Sequence, residues 1–233
     1  MNIIITGASK GIGKAIAEKF AAQGYDLFLC SRQEEALKEL SETLQHKFPG
    51  ITVNFKTCDV AEEKEVAGFA EWVLSKTASP DIIINNAGTF TQGSIHEEQD
   101  GALEQLMKTN VYSAYYLSRK LLPAMIKRKS GHIFNICSIA SLKAYKYGGS
   151  YSITKYAMAG LSANLRDELM KEGIKVTSVF PGAVYTASWA GSGVEPGRIM
   201  KADDIAEMIF TAATLSAQAC VEEIVIRPQL GDL

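Results

Sequence analysis

The stretch "YSITK" at 151–155 sets a phenol, Tyr151, and an ammonium, Lys155, four residues apart. On a helix this spacing brings both side chains to one face, one turn apart. A phenol is a poor acid at neutral pH, with an ordinary pKa near ~10, and a lysine is ordinarily a solvated cation. Trading a proton near neutrality requires a more acidic phenol, a change worth ~3–4 kcal/mol. A cation ~4 Å away at an effective dielectric of ~20 supplies about 4 kcal/mol. The pair is sufficient to move a proton, provided it is desolvated. The spacing alone also fits two ordinary residues on a helix face.

A second stretch suits anion binding. In "TGASKGIGKAIAEKF", starting at Thr6, an apolar strand runs into a turn punctuated by Gly7, Gly11 and Gly13. Glycine lets the backbone bend tightly and approach a ligand, and the following helix offers free N–H groups to a pyrophosphate. The spacing is G-x-x-x-G-x-G, not the common G-x-G-x-x-G. A plain tight turn from strand to helix would use the same glycines.

The elements around these stretches alternate. "NIIIT" (2–6), "DLFLC" (26–30), "ITVNF" (51–55), "DIIIN" (81–85), "HIFNIC" (132–137), "KVTSVF" (175–180) and "EEIVI" (222–226) read as strands. Their nearly continuous hydrophobicity suits strands buried on both faces of a parallel sheet. Helical segments fall at 12–23, 33–47, 61–76, 98–128, 150–172 and 202–216. This β-α-β alternation predicts an α/β fold: a doubly wound, seven-stranded parallel sheet with helices on both faces. No linker or low-complexity segment interrupts it, so residues 1–233 read as a single domain.

Composition narrows the rest. The 233 residues are 47% hydrophobic with a net charge of −2, which suits one core and gives no sign of a nucleic-acid or membrane partner. The basic run Lys127-Arg128-Lys129 reads as a solvated helix end. Cys30, Cys58, Cys137 and Cys220 are scattered and read as reduced, mostly buried thiols of a cytoplasmic protein. His46, His96 and His132 have no metal-ligand spacing, so no metal site is expected. No apolar run approaches the ~18–20 residues of a membrane span, and no secretory signal precedes "NIIITGAS".

"TGASKGIG" at the first turn, "NNAG" at 85–88, Ser138 and "YSITK" stand in an order and spacing that resembles the short-chain dehydrogenases/reductases. The likeness runs from Thr6 to about Thr186. It implies a Rossmann fold and hydride transfer between a nicotinamide dinucleotide and a carbonyl or secondary alcohol. Tyr151 would be the general acid/base, with Lys155 beside it and also on the nicotinamide ribose. Ser138, thirteen residues before Tyr151, would bond the substrate oxygen, although Ser141 is a rival by type. Asn110, in "MKTNVYSAYY", would hold a water linking Lys155 to solvent; by residue type alone it is a polar side chain on a helix.

The resemblance also distributes the cofactor. Gly7, Ser9, Lys10, Gly11, Ile12 and Gly13 would form the phosphate turn. Asp59 and Val60 would contact adenine, with Asp59 also capping the next helix together with Glu62. Asn86, Ala87 and Gly88 would lie against adenosine and ribose, and Pro181, Gly182, Val184 and Thr186 against the nicotinamide. At the end of the second strand Ser31 replaces the acidic residue that bonds a ribose 2′-hydroxyl, and Arg32 follows it. With Lys10 nearby, two cations and no carboxylate favour NADP(H).

The substrate end is less marked. A short lid is expected at about 187–201, with Gly191, Gly193, Pro196, Gly197 and Trp189. Phe90, Leu142, Tyr145, Tyr147, Tyr185 and Trp189 are candidate walls for a small or medium ketone, aldehyde or hydroxy acid. A 3-oxoacyl carrier-protein substrate is the alternative. Lys129 could receive that acidic partner, but Glu172 has the wrong sign and "VEEIVIRPQLGDL" lacks the glycine-paired ending. A non-enzymatic NADP(H) sensor is the reading from another class. The resemblance further implies a homodimer or homotetramer through the helices at 98–128 and 150–172.

Overall fold

Three consecutive isoleucines in the first strand, β1 (Asn2–Thr6), are fully buried, because both faces of the sheet are covered. Ile3 and Ile5 enter one core, shared with helices α1 (Gly11–Ala22), α2 (Glu34–Lys47) and α7 (Ala202–Ala213). Ile4, pointing the other way, enters a second core with α3 (Glu63–Lys76), α5 (Ser113–Arg128) and α6 (Gly149–Leu169). The alternation repeats in β4 (Ile82–Asn85), where Ile82 and Ile84 face the first core and Ile83 the second.

With β2 (Asp26–Ser31), β3 (Val53–Thr57), β5 (Gly131–Ile136), β6 (Ile174–Pro181) and β9 (Glu223–Ile226), the main sheet has the order β3-β2-β1-β4-β5-β6-β9. All neighbours are parallel. The order reverses between β1 and β4, and this leaves a crevice at the strands' carboxyl ends. A small pair, β7 (Val184–Tyr185) and β8 (Met200–Lys201), stands apart from it. The computed structural model describes residues 1–186, 189 and 193–233. Of the expected lid, residues 187, 188 and 190–192, Gly191 among them, lie outside the described residues. Among the described residues no helix is long and apolar enough to cross a membrane.

Three expectations need correction. The helix read as 98–128 starts later and is not uniform: it runs without interruption from Ala102 to Arg128 as α4 (Ala102–Met107), a π turn over Lys108–Tyr112, then α5. Gly101, left-handed at φ 86, sets the start of α4. Arg128 is not a solvated helix end. Its guanidinium bonds Asp81 Oδ1 at 2.7 Å and the Pro80 carbonyl at 2.6 Å, tying the end of α5 to the approach to β4. Finally, Glu62 does not complete a cap with Asp59. Asp59 Oδ1 accepts from Ala61 N at 3.0 Å, and it is Glu65 that accepts from Asp59 N.

At the far end of β5, His132 is buried with Nε2 2.7 Å from the Thr177 hydroxyl. Thr177 donates to the Val221 carbonyl, so it accepts from the imidazole, which is neutral with its proton on Nε2. Burial, with the Lys175 cation adding to it, pushes the His132 pKa down from 6.5 to about 3. Between those values the unfolded chain binds the extra proton, so stability falls as pH falls, by about 1.4 kcal/mol per pH unit for this one group. Urea unfolding of the wild type at pH 6.5 and 5 should therefore show a larger loss than in His132→Gln. Equal losses would remove His132 as the source.

Candidate active site

The glycine turn lies between β1 and α1 at the crevice. Gly7 (φ 66) and Gly11 (φ 57) adopt left-handed backbone that other residues avoid. Gly13 serves the turn itself more than a ligand: a Cβ there would overlap the Gly7 carbonyl oxygen and the Asn86 side chain. Asn86 closes this joint, donating from Nδ2 to the Thr6 and Gly7 carbonyls at 2.9 and 3.2 Å. No side chain caps the N-terminus of α1. Its first N–H groups therefore need acceptors from outside the helix, and at a glycine turn such groups can hold an anion.

A cleft of about 640 Å³ runs from this turn to Tyr151. Every expected cofactor residue lines it except Gly13, which stands behind the turn. Gln33, Cys58, Thr89, Thr109, Ile136 and Cys137 line it too and were not expected. At one end, Ser31 is buried in a turn closed by Gln33 N onto its Oγ at 3.2 Å. Lys10 and Arg32 are exposed at the rim, and neither is ion-paired among the described residues. A phosphorylated ribose fits this end better than a bare one.

At the other end stand Ser138, Tyr151 and Lys155. Ser138 follows β5 with extended backbone, and its Oγ accepts from Ala140 N at 3.1 Å. Its rival, Ser141, is occupied elsewhere: it accepts from Ser138 N and donates to the Lys155 carbonyl at 2.7 Å, tying this turn to α6. Lys155 is buried, and its Nζ donates to the Ile136 carbonyl at 2.9 Å. That Nζ lies 5.7 Å from the centre of the Tyr151 ring. Phe90 packs edge-on against the same ring at 4.9 Å.

Asn110 lies in the π turn and is buried, not turned to solvent. Its Oδ1 accepts from Thr89 N at 2.8 Å, while Nδ2 donates to the Thr89 carbonyl and to Thr154 Oγ1, both at 3.0 Å. It stands behind the cleft wall, holding the loop after "NNAG" against α6. Extra-residue π turns of this kind recur at functional sites, and here the widened turn carries the expected asparagine.

Burial raises the Tyr151 phenol above its ordinary value, a hydrogen bond with Ser138 pulls it back, and the buried Cys137 thiol raises it further. Burial likewise lowers the Lys155 ammonium. The downward shift of the phenol expected from the sequence is therefore absent in the protein alone. The reason is desolvation, which the four-residue spacing does not encode and which opposes charge on both groups. The phenol is held protonated at neutral pH, the resting state a proton donor needs.

The family model for short chain dehydrogenases matches residues 1–195. The chain belongs to the short chain dehydrogenase family. Among its relatives, the sepiapterin reductase of Chlorobaculum tepidum is 31% identical, across 99% of this chain and 97% of that one. The alcohol dehydrogenase of the archaeon Thermococcus sibiricus, solved with 5-hydroxy-NADP, superposes with a TM-score of 0.91 at 27% identity, covering 98% of this chain and 96% of that one. The L-sorbose reductase of Gluconobacter frateurii, solved with NADPH and L-sorbose, gives 0.89 at 29% identity, covering 97% and 94%.

Trp189 lines the cleft, whereas Phe90, Leu142, Tyr145, Tyr147 and Tyr185 are 39–51% exposed and lie outside its lining. Of these five, Phe90 packs its ring against Tyr151. Of the cleft-lining residues not expected from the sequence, Thr89 and Ile136 face it without a titratable group, whereas Cys58 and Cys137 bring buried thiols. They follow directly on motifs or precede them by one or two positions, which was the only signal available.

Proposed function

We propose that the chain is an NADP(H)-dependent oxidoreductase that reduces a small or medium ketone or aldehyde, or oxidises the corresponding alcohol or hydroxy acid. The observation that carries this reading is a half-buried Tyr151 with buried Ser138 and Lys155 at one end of a cleft whose other end holds two cations without an ion-pair partner among the described residues. The amides of Gly11 and Ile12, with Ser9, would hold the pyrophosphate, and Gly13 would let the turn close behind them. Lys10, Ser31 and Arg32 would hold the 2′-phosphate. Asp59, Val60, Asn86, Ala87 and Gly88 would frame the adenosine, and Pro181, Gly182, Val184 and Thr186 the nicotinamide. When bound, the dinucleotide supplies or accepts the hydride.

The chain's own residues handle the oxygen. Ser138 and the Tyr151 hydroxyl both donate to the carbonyl oxygen, so that charge developing there meets two fixed dipoles. Tyr151 then gives its proton to that oxygen. The Lys155 ammonium, held by the Ile136 carbonyl, stabilises the phenolate left behind. Asn110 would keep Thr89 and α6 in place and help return a proton through Lys155. A homodimer or homotetramer in the cytoplasm completes the reading. Tyr115, Ile153 and Tyr156, 42–46% exposed on α5 and α6, are the apolar surface that supports it.

The test is a panel of carbonyl compounds with NADPH: diacetyl, an aromatic ketone, a sugar ketone and an acetoacetyl thioester. Oxidation of NADPH with any of the first three supports the reading, and turnover of the thioester alone would replace it with the carrier-protein alternative. No turnover, with NADPH still bound, would favour a sensor. Light scattering on the same preparation should give at least twice the chain's mass of 25.3 kDa at micromolar concentration.

A further inference from the structure

Tyr151 is the third residue of α6, where a helix determines its own geometry least. The first N–H groups of a helix have no partner inside it. Here the first bond reaching back to the helix start is Ser152 N to the Gly148 carbonyl, at 2.9 Å. The approach is also strained. Tyr147 (φ 63) is left-handed, which costs a side-chain-bearing residue ~1–2 kcal/mol, and Gly149 (φ 40) follows in the same region. Something outside the helix has to hold this turn.

The segment Gly93–Glu98 does so. Gly93 N donates to the Tyr147 carbonyl at 3.0 Å. Glu98 Oε1 accepts from Ser150 N at 2.8 Å, and its Oε2 accepts from the Ser150 hydroxyl. A carboxylate here satisfies a free amide and complements the positive end of the helix. Gly149 completes the joint, because a Cβ on it would overlap both Glu98 Oε1 and the Gly93 carbonyl oxygen. The same loop begins at Thr89, whose N–H and carbonyl are both held by Asn110. It therefore leaves the "NNAG" side of the cleft and ends on the residue beside Tyr151.

From this clasp we infer that Glu98 is a positioning residue for the reaction: it fixes the first turn of α6 and so the placement of the Tyr151 hydroxyl in the cleft. The inference rests on the function proposed above. Glu98 itself is half-buried and is not part of the cleft lining.

The experiment compares wild type, Glu98→Ala, Glu98→Gln, Ser150→Ala and the double alanine variant. It reads amide hydrogen exchange in a peptide covering residues 148–153, NADPH affinity by fluorescence, and kcat with NADPH and diacetyl. In Glu98→Ala, loss of the cap should speed exchange in that peptide about ten-fold. A displaced phenol should lower kcat by at least ~10-fold, with NADPH affinity within about two-fold, because most of its binding groups lie on other elements and Lys155 stands a turn further along α6. Glu98→Gln, which keeps an oxygen for Ser150 N, should recover most of both. Adding Ser150→Ala to Glu98→Ala should change little, since the two share one interaction. Unchanged exchange in Glu98→Ala overturns the inference, and so does unchanged kcat. Parallel losses of kcat, NADPH affinity and melting temperature overturn it too, as they mark general destabilisation. A wild type that turns over no carbonyl refutes the proposed function instead, and the exchange measurement then decides whether the clasp holds the turn.

Discussion

Tyr151→Phe should lower kcat/KM for carbonyl reduction about a thousandfold and leave NADPH affinity nearly unchanged. The substitution removes one oxygen and keeps the ring that Phe90 packs against. What is lost is the proton donor and one of the two dipoles facing the substrate oxygen. The pH profile should separate that role from a packing role. Because burial raises the Tyr151 phenol, the wild type keeps its proton through neutrality. Reduction should therefore be level from neutral pH upward and fall only where the phenol ionises. Oxidation of the alcohol, which needs the ionised form, should rise over that same alkaline range. Tyr151→Phe should show neither limb. Residual activity above about a tenth of wild type would remove Tyr151 from the role of donor.

Arg32→Asp should cut the preference for NADPH over NADH by about a hundredfold, and with Lys10→Ala added it should invert it. The warrant is the geometry at the rim: Lys10 and Arg32, exposed and without an ion-pair partner among the described residues, line the cleft together with Ser31, which stands where an acidic residue would bond a free ribose hydroxyl. A carboxylate at position 32 would repel the phosphate dianion and bond the hydroxyls of the unphosphorylated ribose. Both cations are exposed, so the contrast should be greatest at low ionic strength and shrink as salt is added. The measurement is paired fluorescence titration with NADPH and NADH. An unchanged ratio in Arg32→Asp would show that the rim cations do not read the phosphate.

Most of the framework could be read from residue pattern, for a physical reason. Strands such as "NIIIT" and "DIIIN" are apolar on both faces because both faces are covered, and burial of that kind is visible in one dimension. The glycine turn was legible too, since left-handed backbone at Gly7 and Gly11 leaves few other choices. What stayed hidden depends on contacts between distant segments. The widened turn inside the long helix carries Asn110, whose side chain is held by Thr89 and Thr154, and no periodicity records such bonds. Ser138 and Ser141 are alike by type and differ only in what surrounds them. The direction of the Tyr151 shift was misjudged because spacing supplies a neighbouring charge but not the burial that opposes it. Glu98 went unnoticed for a similar reason: its partner lies beyond α5 and β5, in another part of the chain.

The strand order also governs how this fold can be assembled. β1 is made first, yet its Ile3 finds its second neighbour, Ile82, only after three helices and two further strands have been made. Pairings this remote in sequence are slow to form, because loop closure precedes any reward from burial. The last strand, β9, touches the sheet only along β6. During synthesis the edge of β6 thus stays bare until Glu223–Ile226 has left the ribosome. A nascent chain stalled shortly before Glu223 would present that unpaired edge to its neighbours, the arrangement most prone to aggregate.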